Sequence, residues 1–311
     1  MTIITAMTVL AENLVTLRDG RALGYAECGD PDGEPVLHFH GSPSSRLEIA
    51  TPEVDRAAAA AGVRLIAPDR PGIGLSDPHP RRTILDWPVD VVGLAEALGL
   101  SRFLAIGVSG GSPYAAACGY RIPHRLKAIG IVSGVIPFDS TTPLEGIGRE
   151  HRTVLLAGRW FPWALRRLVR KTEATFRANP DQTLGKLAER LPEADRLFLS
   201  DPVRRRWMVR ATLEAFRRGS EGVFFDFQLA SRAWGFALGD VPMVVNLWFG
   251  GQDRNVPAAA GRYLAKSFAR SEARYYPDEG HLTLLFNRWE EVFTGLRRTA
   301  HREEPSPAAN A

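Results

Sequence analysis

The pentapeptide Gly107-Val108-Ser109-Gly110-Gly111 constrains this chain more than any other feature. An apolar run, Phe103 to Val108, leads into it, and a helix-forming segment, Ser112 to Tyr120, leads out. A G-x-S-x-G pattern in that setting puts the serine on a sharp strand-to-helix turn. The turn strains the serine backbone and brings neighbouring chain so close that Gly107 and Gly111 are needed to leave room. The hydroxyl is lifted above the end of a sheet, at the N-terminus of the next helix, where free N–H groups favour developing negative charge. Ser109 is thus a candidate nucleophile, and the rest of the chain must supply its partners.

The flanking sequence supports that setting. Leu14–Leu17, Asp19-Gly20 and Ala22–Ala26 read as an antiparallel hairpin with an Asp-Gly turn. Strand-like runs at Val36–His40, Val63–Ala67, Phe103–Val108 and Leu126–Val132 then alternate with helical stretches at Glu53–Ala61, Thr83–Leu98 (with Pro88 in its first turn or at a kink) and Ser112–Tyr120. Such alternation predicts an α/β fold, a mostly parallel sheet with helices on both faces. From Phe138 to Asp240 the strand signals vanish. This stretch is helical, Arg-rich and broken by prolines at 143, 162, 180, 192 and 202, and it carries +5 of the chain's net charge of +4, leaving −1 for the remainder. Alternation resumes with a strand over Val241–Phe249, a helix near Ala258–Ala269, a strand over Ala273–Tyr276 and a helix over Leu282–Leu296, before a polar tail from about Thr299.

A serine hydroxyl needs a base, and the base needs an orienting carboxylate. Of the histidines at 38, 40, 79, 124, 151, 281 and 301, only His281 follows the last predicted strand, in Asp278-Glu-Gly-His281. Asp253, in Gly250-Gly-Gln-Asp253 after the preceding strand, is the candidate orienter. Asp278 and Asp139 are rivals, and Asp253 alternatively only caps the helix near Pro257. A tetrahedral intermediate also needs N–H donors for its oxyanion. Gly110, just after the serine, offers one, and Ser42, in the loop His40-Gly41-Ser42-Pro43, the second, with His40 holding the loop backbone.

Composition excludes several other classes. With 45% hydrophobic and 24% charged residues the chain is not disordered. It has no zinc-finger spacing and no basic tract of the strength nucleic-acid binding requires. No apolar run approaches the roughly 18 residues of a membrane span, and the first residues lack the pattern of a signal peptide, so the expected location is cytoplasmic. Cys28 and Cys118 read as buried free thiols. The expected partner is a small-molecule substrate, with no nucleic acid and no membrane; the oligomeric state is open.

Taken together, His40-Gly-Ser-Pro-Ser-Ser-Arg46, Asp69-Arg-Pro-Gly-Ile-Gly-Leu-Ser-Asp77, Gly107-Val-Ser-Gly-Gly111, Gly251-Gln-Asp253 and Glu279-Gly-His281 resemble the α/β-hydrolase superfamily. The subset most resembled carries a helical cap between the sixth and seventh core strands, and is similar to bacterial esterases, meta-cleavage-product hydrolases, haloalkane dehalogenases and proline iminopeptidases. The resemblance implies an eight-stranded sheet, no metal and no cofactor. It divides the chain into core (1–137), cap (138–240), core (241–298) and a disordered tail (299–311). Ser109 in place of an aspartate nucleophile argues against dehalogenase and epoxide-hydrolase chemistry, and the net-positive cap argues against a site built for a free amine. The Asp69–Asp77 loop is expected to be structural, supplying turn glycines and a wall beside the site, with substrate contact the alternative; the cap aromatics are expected mostly to pack the cap onto the core and otherwise to line an apolar pocket above Ser109, and Arg204-Arg-Arg206 to be either a solvated face or an anion patch. The function expected is a serine hydrolase acting on a small, largely apolar carboxylic ester. The alternatives are a C–C bond hydrolase, an aminopeptidase, or a ligand-binding receptor that keeps the triad.

Overall fold

The computed structural model describes residues 12–138 and 147–303. Among the described residues eight strands form one sheet: β1 (Asn13–Thr16), β2 (Ala22–Gly29), β3 (Glu34–Phe39), β4 (Val63–Pro68), β5 (Phe103–Val108), β6 (Leu126–Val132), β7 (Val245–Gly250) and β8 (Ser271–Tyr276). Their spatial order is β1-β2-β4-β3-β5-β6-β7-β8. Strand β2 runs antiparallel to both of its neighbours, β1, to which it is joined through the Asp-Gly turn with Gly20 at φ 85°, and β4; the remaining pairings, from β4–β3 to β7–β8, are parallel. Strands β5, β6 (but for Lys127) and β7 are buried throughout, which is why they read as unbroken apolar runs rather than alternating ones.

The described residues before the end of β6 include α1 (Pro52–Ala60), α2 (Trp87–Ala97) and α3 (Ser112–Arg121). Thr51 starts α1 by accepting a bond from the Val54 N–H, with Pro52 at the first helical position, where its missing N–H costs nothing. Pro88 sits in the first turn of α2, and residues 84–86 before it form a short 3₁₀ turn rather than helix. Between β6 and β7 lie α4 (Arg149–Trp160), α5 (Pro162–Ala178), α6 (Pro180–Ala188), α7 (Glu193–Phe198), α8 (Pro202–Ala215) and α9 (Glu221–Ala230). The prolines that broke the helical pattern are the starts of these helices: Pro162, Pro180 and Pro202 open α5, α6 and α8, and Pro192 immediately precedes α7. Pro143 lies outside the described residues. The chain closes with α10 (Ala258–Ser267), α11 (His281–Asn287) and α12 (Trp289–Glu303).

The sheet separates two apolar cores. One gathers Leu37, Phe39, Trp87, Tyr114 and Phe249 beneath α2, α3 and α10; the other gathers Ile106, Trp248, Trp289, Phe293 and Leu296 beneath α1 and α12. Several boundaries differ from expectation. Strand β7 begins at Val245, not Val241, because Val241 still closes a 3₁₀ turn onto Leu238. The helix expected over 282–296 is two helices, α11 and α12, broken at Arg288. The tail expected from Thr299 is helical as far as Glu303: Thr299 is buried and donates to Asn246 Oδ1 at 3.1 Å, which holds the last turn against the sheet. The cap aromatics divide. Phe198, Trp207, Phe224 and Trp234 are buried, but Trp160, Phe161 and Trp163, at the α4–α5 junction, are 64%, 55% and 71% exposed and pack nothing onto the core. Cys118 is buried and Cys28 only partly so; burial still pushes the Cys28 thiol up to about 12, with Asp55 and Glu27 adding.

Candidate active site

The sheet's geometry brings together four loops that are far apart in sequence. They follow β3, β5, β7 and β8, all at the carboxyl ends of parallel strands, where open α/β sheets leave a crevice.

Ser109 follows β5 directly and has φ 49°, the left-handed region a side chain rarely adopts. The neighbouring glycines explain how the turn is possible. A Cβ on Gly107 would sit 2.6 Å from the Gly111 carbonyl oxygen, and one on Gly111 would sit 2.0 Å from that of Phe39. Ser112, at the start of α3, donates its hydroxyl to the Ser109 carbonyl at 2.8 Å and to that of Val135 at 3.1 Å, pinning the strained residue from behind.

His281 follows β8, as expected, and opens α11; its Nε2 stands 3.1 Å from Ser109 Oγ. Its Nδ1 is 2.7 Å from Asp253 Oδ2. With Nδ1–H donating to the carboxylate, Nε2 is left free to accept the serine proton. The other Asp253 oxygen accepts from the Asn255 and Val256 N–H groups, both at 2.8 Å, so the carboxylate is fixed by its own loop while it orients the imidazole. Orienting and loop-holding are shared by one side chain. Burial pushes the His281 pKa down, but the charge and hydrogen bond of Asp253, with the charges of Asp195 and Glu48, outweigh it and hold the pKa above the ordinary histidine value. Of the rival carboxylates, Asp278 is exposed in the preceding turn, and Asp139 lies outside the described residues.

Ser42 and Gly110 are neighbours across the site: a Cβ on Gly110 would lie 3.3 Å from the Ser42 nitrogen. The Ser42 loop is held by a buried network that sequence reasoning missed. Arg70 donates to the His40 carbonyl at 2.5 Å, to the Gly41 carbonyl at 2.9 Å and to Ser42 Oγ at 2.9 Å. It also pairs with Asp226, on α9, through Nε at 2.8 Å and Nη2 at 2.6 Å. Asp226 accepts further bonds from Arg82, Tyr114 and Ser42 Oγ. His40 donates through Nδ1 to the Gly41 carbonyl, and burial, with the Arg70 charge beside it, lowers its pKa to about 3; it is a neutral brace for the loop, as expected. The Asp69–Asp77 loop has the expected turn glycines, Gly72 and Gly74 at φ 80° and 52°, but none of its residues lines the spaces beside Ser109. Its Arg70 works from behind, on the backbone of residues 40–42.

A cavity of about 600 Å³ opens over Ser109 and His281, a volume suited to a small organic ligand. Leu184, Trp207, Met208 and Phe286 contribute much of its apolar lining. A second recess, of about 20 Å³, lies beside Ser109, lined by Ser42 and Gly110 among others, and has room for about one small atom group. His151, on α4, faces both spaces, and burial, with the His281 charge nearby, lowers its pKa to about 4, which keeps it neutral. None of Arg204, Arg205 and Arg206 lines the cavity. Arg204 covers the Phe198 ring at 4.6 Å and Arg205 donates to the Asp181 carbonyl, so that run is packing and surface rather than an anion patch. Among the described residues there is no cluster of His, Cys, Asp and Glu suited to a metal ion, and no helix long and apolar enough to cross a membrane.

The Alpha/beta hydrolase family profile matches residues 36–294. A proline iminopeptidase of Xylella fastidiosa is 30% identical over 127 residues, covering 40% of each chain, so only about two fifths of that relative's length is spanned. A non-heme chloroperoxidase of Streptomyces lividans is 34% identical over 153 residues, 47% of this chain and 55% of that one. An esterase from Exiguobacterium antarcticum superposes with a TM-score of 0.68 at 17% identity, covering 94% of this chain and 100% of that one, a likeness of fold.

Proposed function

This chain belongs to the alpha/beta hydrolase family, and we propose that it is a serine hydrolase that cleaves a small, largely apolar carboxylic ester through an acyl-enzyme on Ser109. The observation that carries this reading is the aligned pair of contacts at His281: Nε2 3.1 Å from Ser109 Oγ and Nδ1 2.7 Å from Asp253 Oδ2. In the proposed cycle Ser109 Oγ bonds to the ester carbonyl carbon as its proton passes to His281 Nε2. The negative charge on the former carbonyl oxygen is held by the N–H groups of Ser42 and Gly110, which border the small recess, while the bulk of the substrate lies in the large cavity. The tetrahedral adduct then collapses. The bond to the alcohol oxygen breaks, and that oxygen takes the proton from His281. A water molecule attacks the acyl-Ser109 ester, gives a proton to His281, and the second collapse releases the acid and returns the proton to Ser109.

The relatedness to proline iminopeptidases raises a second reading, an aminopeptidase. A site for a free amine needs an uncommitted carboxylate. Among the described residues lining the large cavity Glu48 is the one carboxylate, and it is already engaged by His38 Nε2 at 2.9 Å and by the Gly41 N–H. The same cavity is lined by Arg149, Arg190 and Arg254. That charge balance favours a neutral or anionic substrate over a cationic one.

The test is a panel of p-nitrophenyl esters of rising acyl length beside proline p-nitroanilide. Turnover of at least one ester, lost in Ser109→Ala, with little or none of the anilide, is expected. Efficient anilide turnover with inert esters would overturn the ester reading in favour of the peptidase.

A further inference from the structure

Helix α11 begins with the proposed base, so whatever holds its first turn also holds the base. The first four N–H groups of a helix have no partner within it. Here all four are satisfied, and only one by a local side chain: the Gly280 N–H donates to Thr283 Oγ1 at 2.7 Å. The other three converge on one carboxylate of α7. Asp195 Oδ2 accepts from the His281 N–H at 2.8 Å, and Oδ1 accepts from the Leu282 and Thr283 N–H groups at 2.8 and 3.2 Å. Asp195 is 1% exposed. Gly280 makes the close approach possible, since a Cβ there would meet Asp195 Oδ1 at 2.4 Å. Beside this contact, Phe198 at the end of α7 and Trp207 on α8 both meet Phe286 on α11 with ring centroids 4.6 Å apart, which presses α7 against α11.

We infer that Asp195 is a positioning residue for His281: a carboxylate from the helical insertion that seats the first turn of α11 and thereby sets the imidazole between Ser109 and Asp253. The inference rests on His281 being the base. Its distinctive consequence is that the catalytic base is complete only while α7 is docked. The two aspartates that touch His281 divide the work. Asp253 holds the ring through Nδ1, and Asp195 holds the backbone. The charge of Asp195 also favours the imidazolium, together with Asp253 and Glu48, while His151 on α4 faces the ring as a neutral group. Burial raises the pKa of Asp195 itself, opposed by the His281 charge and the three N–H donors.

The test compares Asp195→Ala and Asp195→Asn with the parent. The amide keeps the shape and one acceptor oxygen but loses the charge. Three readouts are taken: kcat and KM on the best ester, the acid limb of the pH profile, and the pH titration of the His281 ring by NMR. Expected are a kcat lowered by up to about a hundredfold, since small misplacements of a catalytic group have that effect, a KM changed less than twofold, and a His281 titration moved to lower pH in both variants. If Asp195→Ala does not fold, Asp195→Asn decides alone. An unchanged kcat with an unmoved titration would overturn the inference, as would a loss confined to KM. The NMR titration needs no activity. A moved titration in a protein whose Ser109→Ala variant still turns over ester would therefore leave the placement of His281 standing while removing its proposed role.

Discussion

Replacing Asp226 with leucine should cost more stability than any surface substitution on the same helix, and it should also slow the reaction. Asp226 is 2% exposed, and it is the one carboxylate within ion-pair distance of Arg70 and Arg82 among the described residues. Those two guanidinium groups are themselves buried, at 0% and 6% exposure. Leucine fills a similar volume but leaves both cations without a countercharge and Tyr114 and Ser42 without their acceptor. Breaking a buried ion pair from one side costs about 3–5 kcal/mol, and two stranded cations point to the upper end. At roughly 2–4 °C per kcal/mol for a chain of this order of size, Tm should fall by about 10–20 °C. Activity should fall as well, because Arg70 braces the carbonyls of His40 and Gly41 just ahead of the Ser42 N–H. Loss of one oxyanion donor lowers kcat by about 10²–10³, so a partial displacement should fall within that bound. Urea unfolding and ester kinetics on Asp226→Leu, Asp226→Asn and the partly exposed control Glu221→Gln would measure both effects. Asn should be intermediate and Glu221→Gln within about 0.5 kcal/mol of the parent. Adding Arg70→Met to Asp226→Leu should recover part of the stability, because one stranded charge is removed. A loss under about 1 kcal/mol for Asp226→Leu would refute the reasoning.

The acid limb of kcat/KM should have its midpoint above the ordinary histidine value of about 6.5, because the base works only when neutral and its partners hold its pKa up; activity that persists undiminished at pH 5 would contradict this. Gly111→Ala should yield little folded protein or a strongly lowered Tm, since the new Cβ would lie 2.0 Å from the Phe39 carbonyl oxygen with only backbone to move; a variant as stable as the parent would show that the turn after β5 is looser than its geometry implies.

What the sequence made legible, and what it hid, follows from how local each signal is. The turn at Ser109 announces itself because its steric demands fall on residues two positions away, Gly107 and Gly111. Asp253 and His281 are legible for a related reason. Each follows a strand of a parallel sheet, so chain order alone predicts that they meet at one edge. Asp195 and Asp226 carry no such mark, and Arg70, although it lies in the Asp69–Asp77 motif, has nothing beside it that points to the loop it braces. Each acts on a residue far along the chain, Asp195 on His281 and Asp226 on Arg70, and nothing near either position in sequence distinguishes it from a solvated helical acid. The exposed Trp160, Phe161 and Trp163 fail in the opposite direction: their apolar character suggested packing, and their position at a helix–helix junction leaves them in solvent. The boundary at Thr299 was missed because a polar composition hid a single buried hydroxyl paired with Asn246.

The most direct measurement is covalent labelling by a fluorophosphonate, followed by intact mass and peptide mapping. If Ser109 is the hydroxyl that His281 activates, one adduct should form per chain, map to Ser109, vanish in Ser109→Ala and form far more slowly in His281→Gln. Labelling at another residue, or a Ser109→Ala variant that still hydrolyses ester, would mean that the contact between residues 109 and 281 is not the working site.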